Sequence, residues 1–188
     1  MEKMSVSELM RPIAEFPRIS SEATFYEAVE ALENADWQYK SGNAPERILL
    51  VYKEPWKIIG KLSPMDVVKG LEPNYESIDG LKSYPYYFLI RSSFEEIRKD
   101  YRLWHEPLRE LWRRANQIKI RDFIKMPAAD QMVAADDKMD LAFHVFVVSR
   151  HGSLFVLEKS EIIGLLLFSD VYRKIKETMT TAPLPPAA

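Results

Sequence analysis

The chain carries one motif twice, as IIGKLSPMDVV at residues 58–68 and as IIGLLLFSDVY at residues 162–172. Each copy is typical of an apolar strand that contains a glycine, followed by a helix that opens near an aspartate, Asp66 or Asp170. A repeated strand–helix unit indicates a duplicated fold. Both copies end at a helix N-terminus, which indicates where a ligand site should be sought.

The repeat extends upstream of the motif, since residues 6–10 match 120–124 and residues 18–21 match 132–135. The apolar residues that come next are spaced i, i+3, i+4 and i+7, which predicts an amphipathic helix in each copy. They are Phe25, Ala28, Val29 and Leu32 in the first copy and Met139, Ala142, Phe143 and Phe146 in the second. Each half is therefore predicted to be β-α-β-β-α. One half alone buries too little surface, so we expect the two to share a core about a pseudo-twofold axis.

The composition excludes several classes of protein. The chain of 188 residues is 47% hydrophobic and 12% aromatic, so it can bury a core and is not globally disordered. The net charge of -2 gives no bulk electrostatic argument for nucleic acid or an anionic membrane. The absence of cysteine excludes disulfides and thiolate chemistry and fits a reducing compartment. We therefore expect a cytoplasmic protein, with no signal peptide and no apolar run long enough for a membrane span.

The segment between the copies matches neither of them. We predict a first repeat at residues 1–71, an aromatic-rich helical insertion at 72–118, a second repeat at 119–179 and a flexible Pro/Ala-rich tail at 180–188. Residues 84–90 form an aromatic run that is predicted to be extended or irregular. A helical stripe follows, which Pro107 divides into two helices or one kinked helix; its members are Phe94, Ile97, Tyr101, Trp104, Leu108 and Leu111. We expect this stripe to pack against the repeats, the alternative being a homodimer or partner contact.

The ordered set of these features resembles a tandem pair of CBS domains, or Bateman module, over about residues 4–71 and 118–178. Ser63-x-x-Asp66 is similar to the family's Ser/Thr-x-x-Asp ribose-binding motif. The resemblance implies an α/β fold of two β-α-β-β-α repeats. It also implies a non-catalytic regulatory module that binds AMP, ADP, ATP or S-adenosylmethionine in clefts between the repeats. It further implies a homodimer and, because no catalytic or transport domain is attached, a regulated protein in trans.

The resemblance assigns Ser63, Asp66 and Asp170 to ribose binding, and a carboxylate suits a vicinal diol because it can accept from both hydroxyls. The same residues have a purely structural interpretation, with Ser63 as N-cap and Asp66 as an acid facing the helix dipole. The second copy has Leu167 where the motif has Ser or Thr, which removes both a cap and a hydroxyl contact. The first copy is therefore the one to test first.

The resemblance also assigns basic residues near the second strand to ligand phosphates, and these are Arg47, Arg150 and His151. On this basis Arg47 belongs with Ser63 and Asp66 in the first copy. The alternative is that all three are solvated loop residues. A third set is assigned to the base and ribose pocket, or else to capping of the helix that begins near Glu22; it comprises Ile19, Ser20 and Ser21.

The sequence contains none of the common phosphate-loop, dinucleotide, zinc-protease or serine-hydrolase motifs, so we do not expect an enzyme. We also expect no covalent cofactor and no metal site, since His105 has no second histidine or spaced carboxylate nearby. Nucleic acid is not an expected partner, because acidic residues interleave with the basic residues of the insertion helices. The competing hypothesis is a degenerate pair that serves as a dimerisation or interaction scaffold, favoured by Leu167 and by an insertion that could fill the cleft.

Overall fold

The structure, a computed structural model, describes residues 3–78 and 94–181. The first half contains two strands, a helix, a β-hairpin and a second helix. In chain order these are β1 (Arg11–Pro12), β2 (Arg18–Ser20), α1 (Phe25–Lys40), β3 (Leu49–Lys53), β4 (Lys57–Leu62) and α2 (Pro64–Leu71). The second half repeats the order strand, helix, hairpin, helix. Its elements are β5 (Met132–Ala134), α7 (Met139–Ser149), β6 (Ser153–Glu158), β7 (Glu161–Leu167) and α8 (Phe168–Thr181).

The segment between the halves is helical where it is described. Its elements are α3 (Tyr75–Ile78), α4 (Phe94–Asp100), α5 (Leu108–Ala115) and α6 (Ile120–Phe123). The mixed α/β architecture of two β-α-β-β-α repeats with helices between them confirms the fold class predicted from the motif. The division at residues 71, 118 and 179 stays a prediction, although α8 continues past residue 179. Residues 84–90 and the tail beyond residue 181 lie outside the described residues.

The repeat helices form where the apolar spacing predicts them. The N-cap of α1 is Thr24, whose backbone N–H donates to Glu27 Oε2 at 2.7 Å while its hydroxyl accepts from the Glu27 N–H at 3.3 Å. This reciprocal capping satisfies two N–H groups that the helix cannot pair internally. Phe25, Ala28 and Leu32 are buried along one face, as predicted. In α7 the corresponding buried positions are Met139, Ala142 and Phe146.

Each half has its own sheet. One sheet has the order β2-β3-β4, with β2 parallel to β3 and β3 antiparallel to β4. The other has the order β1-β7-β6-β5, with β5 parallel to β6 and β6 antiparallel to β7. Strand β1 comes from the first half but pairs antiparallel with β7 of the second. The N-terminal segment therefore completes the sheet of the opposite repeat.

The hydrophobic cores of the two halves also exchange residues. Val6 packs in the core of the second half, and Ile120, its counterpart in the repeat, packs in the core of the first. A third cluster joins the two sheets face to face and contains residues of both halves. Its buried members are Phe16, Ile48, Leu50, Ile58, Phe155, Leu165 and Leu167. The expectation of a shared core is thus confirmed.

The insertion departs from the predicted stripe. Residues between α4 and α5 form turns, with left-handed backbone at Arg102 and Trp104 (φ 54° and 53°). These turns break the helical register. Of the stripe, Leu111 is buried, whereas Phe94 and Leu108 are 41% and 64% exposed; Leu103, outside the stripe, is also buried. Two separate helices, rather than one kinked helix, are present.

Candidate ligand-binding clefts

A cavity of about 400 Å³ lies between the two halves beside the N-terminal turn of α2. We call it the Asp66 cleft. Residues of the first half, the insertion and the second half line it, which means that one ligand there would touch all three. The lining residues are Lys61, Asp66, Lys69, Gly70, Pro73, Tyr75, Glu76, Ile118, Asp122, Phe123, Ile124, Lys125, Gln131 and Phe155.

Asp66 is held by the capping arrangement that the sequence predicts. Helix α2 begins at Pro64 with Ser63 as N-cap in an extended conformation. The Asp66 Oδ2 atom accepts from the Ser63 backbone N–H at 2.9 Å and from the Ser63 hydroxyl at 2.5 Å. Because the carboxylate is fixed from one side and still lines the cleft, its structural and ligand-binding interpretations are compatible. The rigid cap orients the acceptor that a ribose would meet.

Lys61 lines the Asp66 cleft, and the sequence analysis did not single it out. It lies on β4, and its ammonium donates across the halves to the Ser153 carbonyl at 2.9 Å and the Ser153 hydroxyl at 2.6 Å. Its Nζ atom is 5.2 Å from the centroid of the Phe155 ring. Burial lowers the pKa of Lys61 to about 8, although Asp66 and Glu46 electrostatically favour the ammonium. The signal in the sequence is a lysine in the interior of an apolar strand, at the position that Leu165 has in the second copy.

The insertion contributes Pro73, Tyr75, Glu76 and Ile118 to one wall of the Asp66 cleft. Tyr75 lines the cleft, and its hydroxyl accepts from the Trp104 indole N–H at 2.9 Å. The buried Glu72 carboxylate accepts from the Trp104 backbone N–H at 2.8 Å. These bonds tie the wall to the turn between α4 and α5. Trp104 itself does not line the cleft, and the two tyrosines at 84 and 86 lie outside the described residues.

The environment of Asp170 is different. Its carboxylate, 7% exposed, accepts from Arg11 Nε at 2.5 Å and from Arg11 Nη2 at 3.1 Å. Arg173 Nη2 lies 3.1 Å from the same carboxylate. The Asp170 contact holds the pKa of Arg11 well above its usual range. Leu167, in place of the motif hydroxyl, is buried in the core between the sheets. A ribose at Asp170 would therefore have to displace a guanidinium.

The predicted phosphate-binding residues do not gather around the aspartate of their own repeat. Arg47 pairs with Asp36, Nη1 to Oδ1 at 3.7 Å, and its guanidinium carbon lies 5.6 Å from the Tyr39 ring centroid. Tyr39 lines the depression beside Asp170, so Arg47 lies on that side and not with Ser63 and Asp66. The depression beside Asp170 thus combines the aspartate of the second repeat with the helix–strand loop of the first.

In the second half the loop lies on the Asp66 side. His151 Nε2 is 3.7 Å from Asp130 Oδ2, and the neighbouring Gln131 lines the Asp66 cleft. Arg150 ends α7 in a left-handed conformation (φ 55°) and is exposed. Neither residue lines the Asp66 cleft directly. Their phosphate role stays a prediction.

The three residues assigned to a base pocket contribute to the core and to local hydrogen bonds. Ile19 is a core residue, and Ser21 is buried, with its N–H donating to the Tyr52 carbonyl at 2.8 Å. The Ser20 hydroxyl accepts from the Glu22 N–H at 3.2 Å. None of the three lines the Asp66 cleft, and the base-pocket role remains a prediction. The capping alternative is wrong, because the helix begins at Phe25 and not near Glu22, and its N-cap is Thr24.

Two further features bear on the site. In residues 3–78 and 94–181, His, Cys, Asp and Glu side chains form no group of three that could hold a metal ion. No helix in the same ranges is both long and apolar enough to cross a membrane.

Comparison with known proteins identifies the fold. No protein-family model and no curated protein matches the sequence. A solved CBS domain-containing protein of unknown function from Kribbella flavida is 20% identical, with 96% of this chain and 100% of that chain covered and a TM-score of 0.51. The structure of CBSX2 in complex with AMP is 15% identical, covering 93% and 98%, with a TM-score of 0.53. The CBS domain of a bacterial CNNM/CorC family Mg²⁺ transporter in complex with ATP is 15% identical, covering 93% and 89%, with a TM-score of 0.56. The chain has the fold of a CBS-domain pair.

Proposed function

We propose that the chain is a non-catalytic regulatory module that binds one adenosine-containing ligand, AMP, ADP, ATP or S-adenosylmethionine, in the Asp66 cleft. The observation that carries this proposal is the cavity between the halves, with a fixed carboxylate at a helix N-terminus and a lysine on its floor. The solved structures with AMP and ATP support the choice of ligand class, since both have the same fold.

The chemistry of the cleft fits the parts of such a ligand. Asp66 accepts hydrogen bonds from the ribose hydroxyls, for which a carboxylate is well suited. Tyr75, Phe123 and Phe155 supply aromatic surface for a purine base. Lysines at the rim and floor supply positive charge. The cleft is concave and combines apolar walls with a few polar groups, as small-molecule sites do.

Regulation follows from the position of the cleft. A ligand that contacts both halves and the insertion favours the arrangement in which all these contacts are made, and so shifts the population of conformations. The changed arrangement is passed to a protein partner in trans. A cytoplasmic homodimer is part of this proposal.

A thermal-unfolding measurement on nucleotide-stripped protein tests the proposal. AMP, ADP, ATP or S-adenosylmethionine at millimolar concentration should raise the melting temperature, and a ligand at a hundred times its Kd stabilises by about 2.7 kcal/mol. Asp66→Ala should abolish the rise. The matched control is Asp140→Ala, which removes an exposed acid from the first turn of α7, outside the cleft. No shift with any of the four ligands contradicts the proposal.

The alternative function is a scaffold without nucleotide. It is favoured by the closed ion pair at Asp170 and by exposed apolar side chains on α7 and α8, among them Val147, Val148 and Tyr172. Native mass spectrometry separates the two functions, because it reports the number of subunits together with any retained nucleotide. A dimer that neither retains nor accepts a nucleotide supports the scaffold.

A further inference from the structure

The ammonium of Lys61 lies inside the cleft with neutral partners. Both of its hydrogen bonds are to Ser153, one to the carbonyl and one to the hydroxyl. Among the residues that the structure describes, no carboxylate oxygen lies within 4.0 Å of Nζ. An ammonium carries three N–H donors, so one donor is left after the two bonds to Ser153.

This arrangement is costly for the protein alone. Removing a cation from water without an anion in direct contact is unfavourable, and burial lowers the pKa of Lys61 even though Asp66 and Glu46 favour the ammonium at longer range. Two acids of the cleft make their hydrogen bonds to other groups: Asp66 accepts from Ser63, and Asp122 accepts from the Lys119 backbone N–H at 2.8 Å. Asp66 and Glu46 still attract the ammonium, but neither is hydrogen-bonded to it.

Packing does not require a lysine at this position. The second repeat has a leucine, Leu165, at the equivalent place in its sheet, where it is fully buried. The lysine therefore adds a charge that an apolar residue could replace in the fold.

We propose that Lys61 is the specificity-determining residue of the Asp66 cleft, with its ammonium binding a phosphate group of the ligand. The inference rests on the proposed function and narrows it to phosphate-bearing adenosine nucleotides. Free adenosine lacks the anion, and S-adenosylmethionine brings a sulfonium cation towards the ammonium. A phosphate oxygen accepts the remaining N–H while Ser153 holds the other two, so the contact also spans both halves.

The affinity should depend on pH with a defined sign. Lys61 loses its proton as the pH rises through about 8, so AMP binding should weaken between pH 7 and pH 9. Several charged groups act on Lys61 or share its cleft. They are Asp66, Glu46, Glu76, Asp122, Lys69 and Lys125.

Binding of AMP and of adenosine, which differ only in the phosphate, tests the inference by calorimetry at pH 7. Wild type should prefer AMP, and Lys61→Met should lose about tenfold or more in AMP affinity while keeping its adenosine affinity. The matched control is Lys57→Met, which removes an exposed lysine from the same strand and should keep the preference. The decline of AMP affinity towards pH 9 should also disappear in Lys61→Met.

Equal loss of both ligands in Lys61→Met, or no loss of either, overturns the inference. If Lys61→Met does not fold, Lys61→Arg replaces it. A Lys61→Arg variant that keeps the AMP preference but loses the decline towards pH 9 supports the role of the charge, and an unchanged pH profile overturns it.

Inorganic pyrophosphate separates this inference from the proposed function. Pyrophosphate binding that depends on Lys61, in a protein that binds no adenosine compound, refutes the proposed function and leaves the anion site standing. Binding of S-adenosylmethionine without binding of AMP, ADP, ATP or pyrophosphate overturns the inference and leaves the proposed function standing. Binding of none of these five compounds overturns both.

Discussion

The two clefts share a scaffold and differ in how each aspartate is paired. Asp66 and Asp170 occupy the same position in the first turn of a helix that follows an apolar strand. Asp66 faces a cavity whose floor holds Lys61, while Asp170 is closed by Arg11 and Arg173. The duplication thus places the carboxylates, and residues outside the repeated motif decide which carboxylate is accessible to a ligand.

The cations that make this difference come from different positions of the repeat unit. Arg11 corresponds to Lys125 in the alignment of the copies, and Lys61 corresponds to Leu165. In the second cleft the charge comes from the N-terminal segment and pairs with the aspartate. In the first cleft an additional charge comes from the strand and bonds to Ser153 instead.

Removing Arg11 should have the largest effect on stability. Arg11→Gln leaves the buried Asp170 carboxylate with Arg173 alone, and breaking one side of a buried ion pair typically costs about 3 kcal/mol. Urea denaturation of the variant measures this loss. Arg18→Gln, at an exposed arginine on β2, is the control and should change the unfolding free energy by less than about 0.5 kcal/mol. Equal effects of the two variants would show that the Asp170 cluster does not hold the second cleft closed.

The glycines of the two repeats give a second, smaller contrast. A Cβ at Gly164 would lie 2.4 Å from the Arg11 carbonyl oxygen, so β1 would have to move away from β7. At Gly60 the nearest atom, the Lys125 carbonyl oxygen, would be 3.4 Å away. Gly164→Ala should therefore cost about 2 kcal/mol and Gly60→Ala less than about 1 kcal/mol, measured by thermal unfolding. The reverse order would contradict the closer approach of the backbone to Gly164 than to Gly60.

The smallest effect is the pH dependence of stability that Lys61 contributes. Its folded pKa of about 8 lies below the usual 10.5, so the unfolded chain binds more protons between these values. The free energy of unfolding should therefore rise as the pH goes from about 8 to 10.5. The expected rise is about 1 kcal/mol, and the upper limit set by the pKa difference is about 3 kcal/mol. Comparing the unfolding free energy of wild type and Lys61→Met over this range measures the contribution. Parallel curves would mean that the ammonium is not desolvated in the folded state.

The sequence predicts the parts of this account that depend on local spacing. The strand–glycine–strand–helix motif, the apolar face of α1 and the Ser63 cap are all local, and each is found in the structure. The stripe of the insertion is only partly found: Leu111 is buried and Pro107 precedes a separate helix, but turns at Arg102 and Trp104 interrupt the helical register. Spacing along a helix does not reveal such an interruption when the turn residues are not glycine.

The pairing of charges between the halves could not be predicted from spacing. Lys61 and Ser153 meet across the interface of the two sheets, and Arg11 meets Asp170 because β1 joins the opposite sheet. These contacts depend on how the two repeats pack against each other. The periodic spacing of residues in a single sequence does not reveal that packing. The sequence groups Arg47 with Asp66 because both lie in the first copy. In the structure Arg47 lies on the side of Asp170, the aspartate of the other repeat.

Calorimetric titration with AMP tests the central claim, that the Asp66 cleft is accessible to a nucleotide and the Asp170 cleft is not. Wild type should bind one AMP per chain, Asp66→Asn should lose at least tenfold in affinity, and Asp170→Asn should leave affinity and stoichiometry unchanged. Two equivalents per chain in wild type, or loss of binding in Asp170→Asn with Asp66→Asn unaffected, would contradict it.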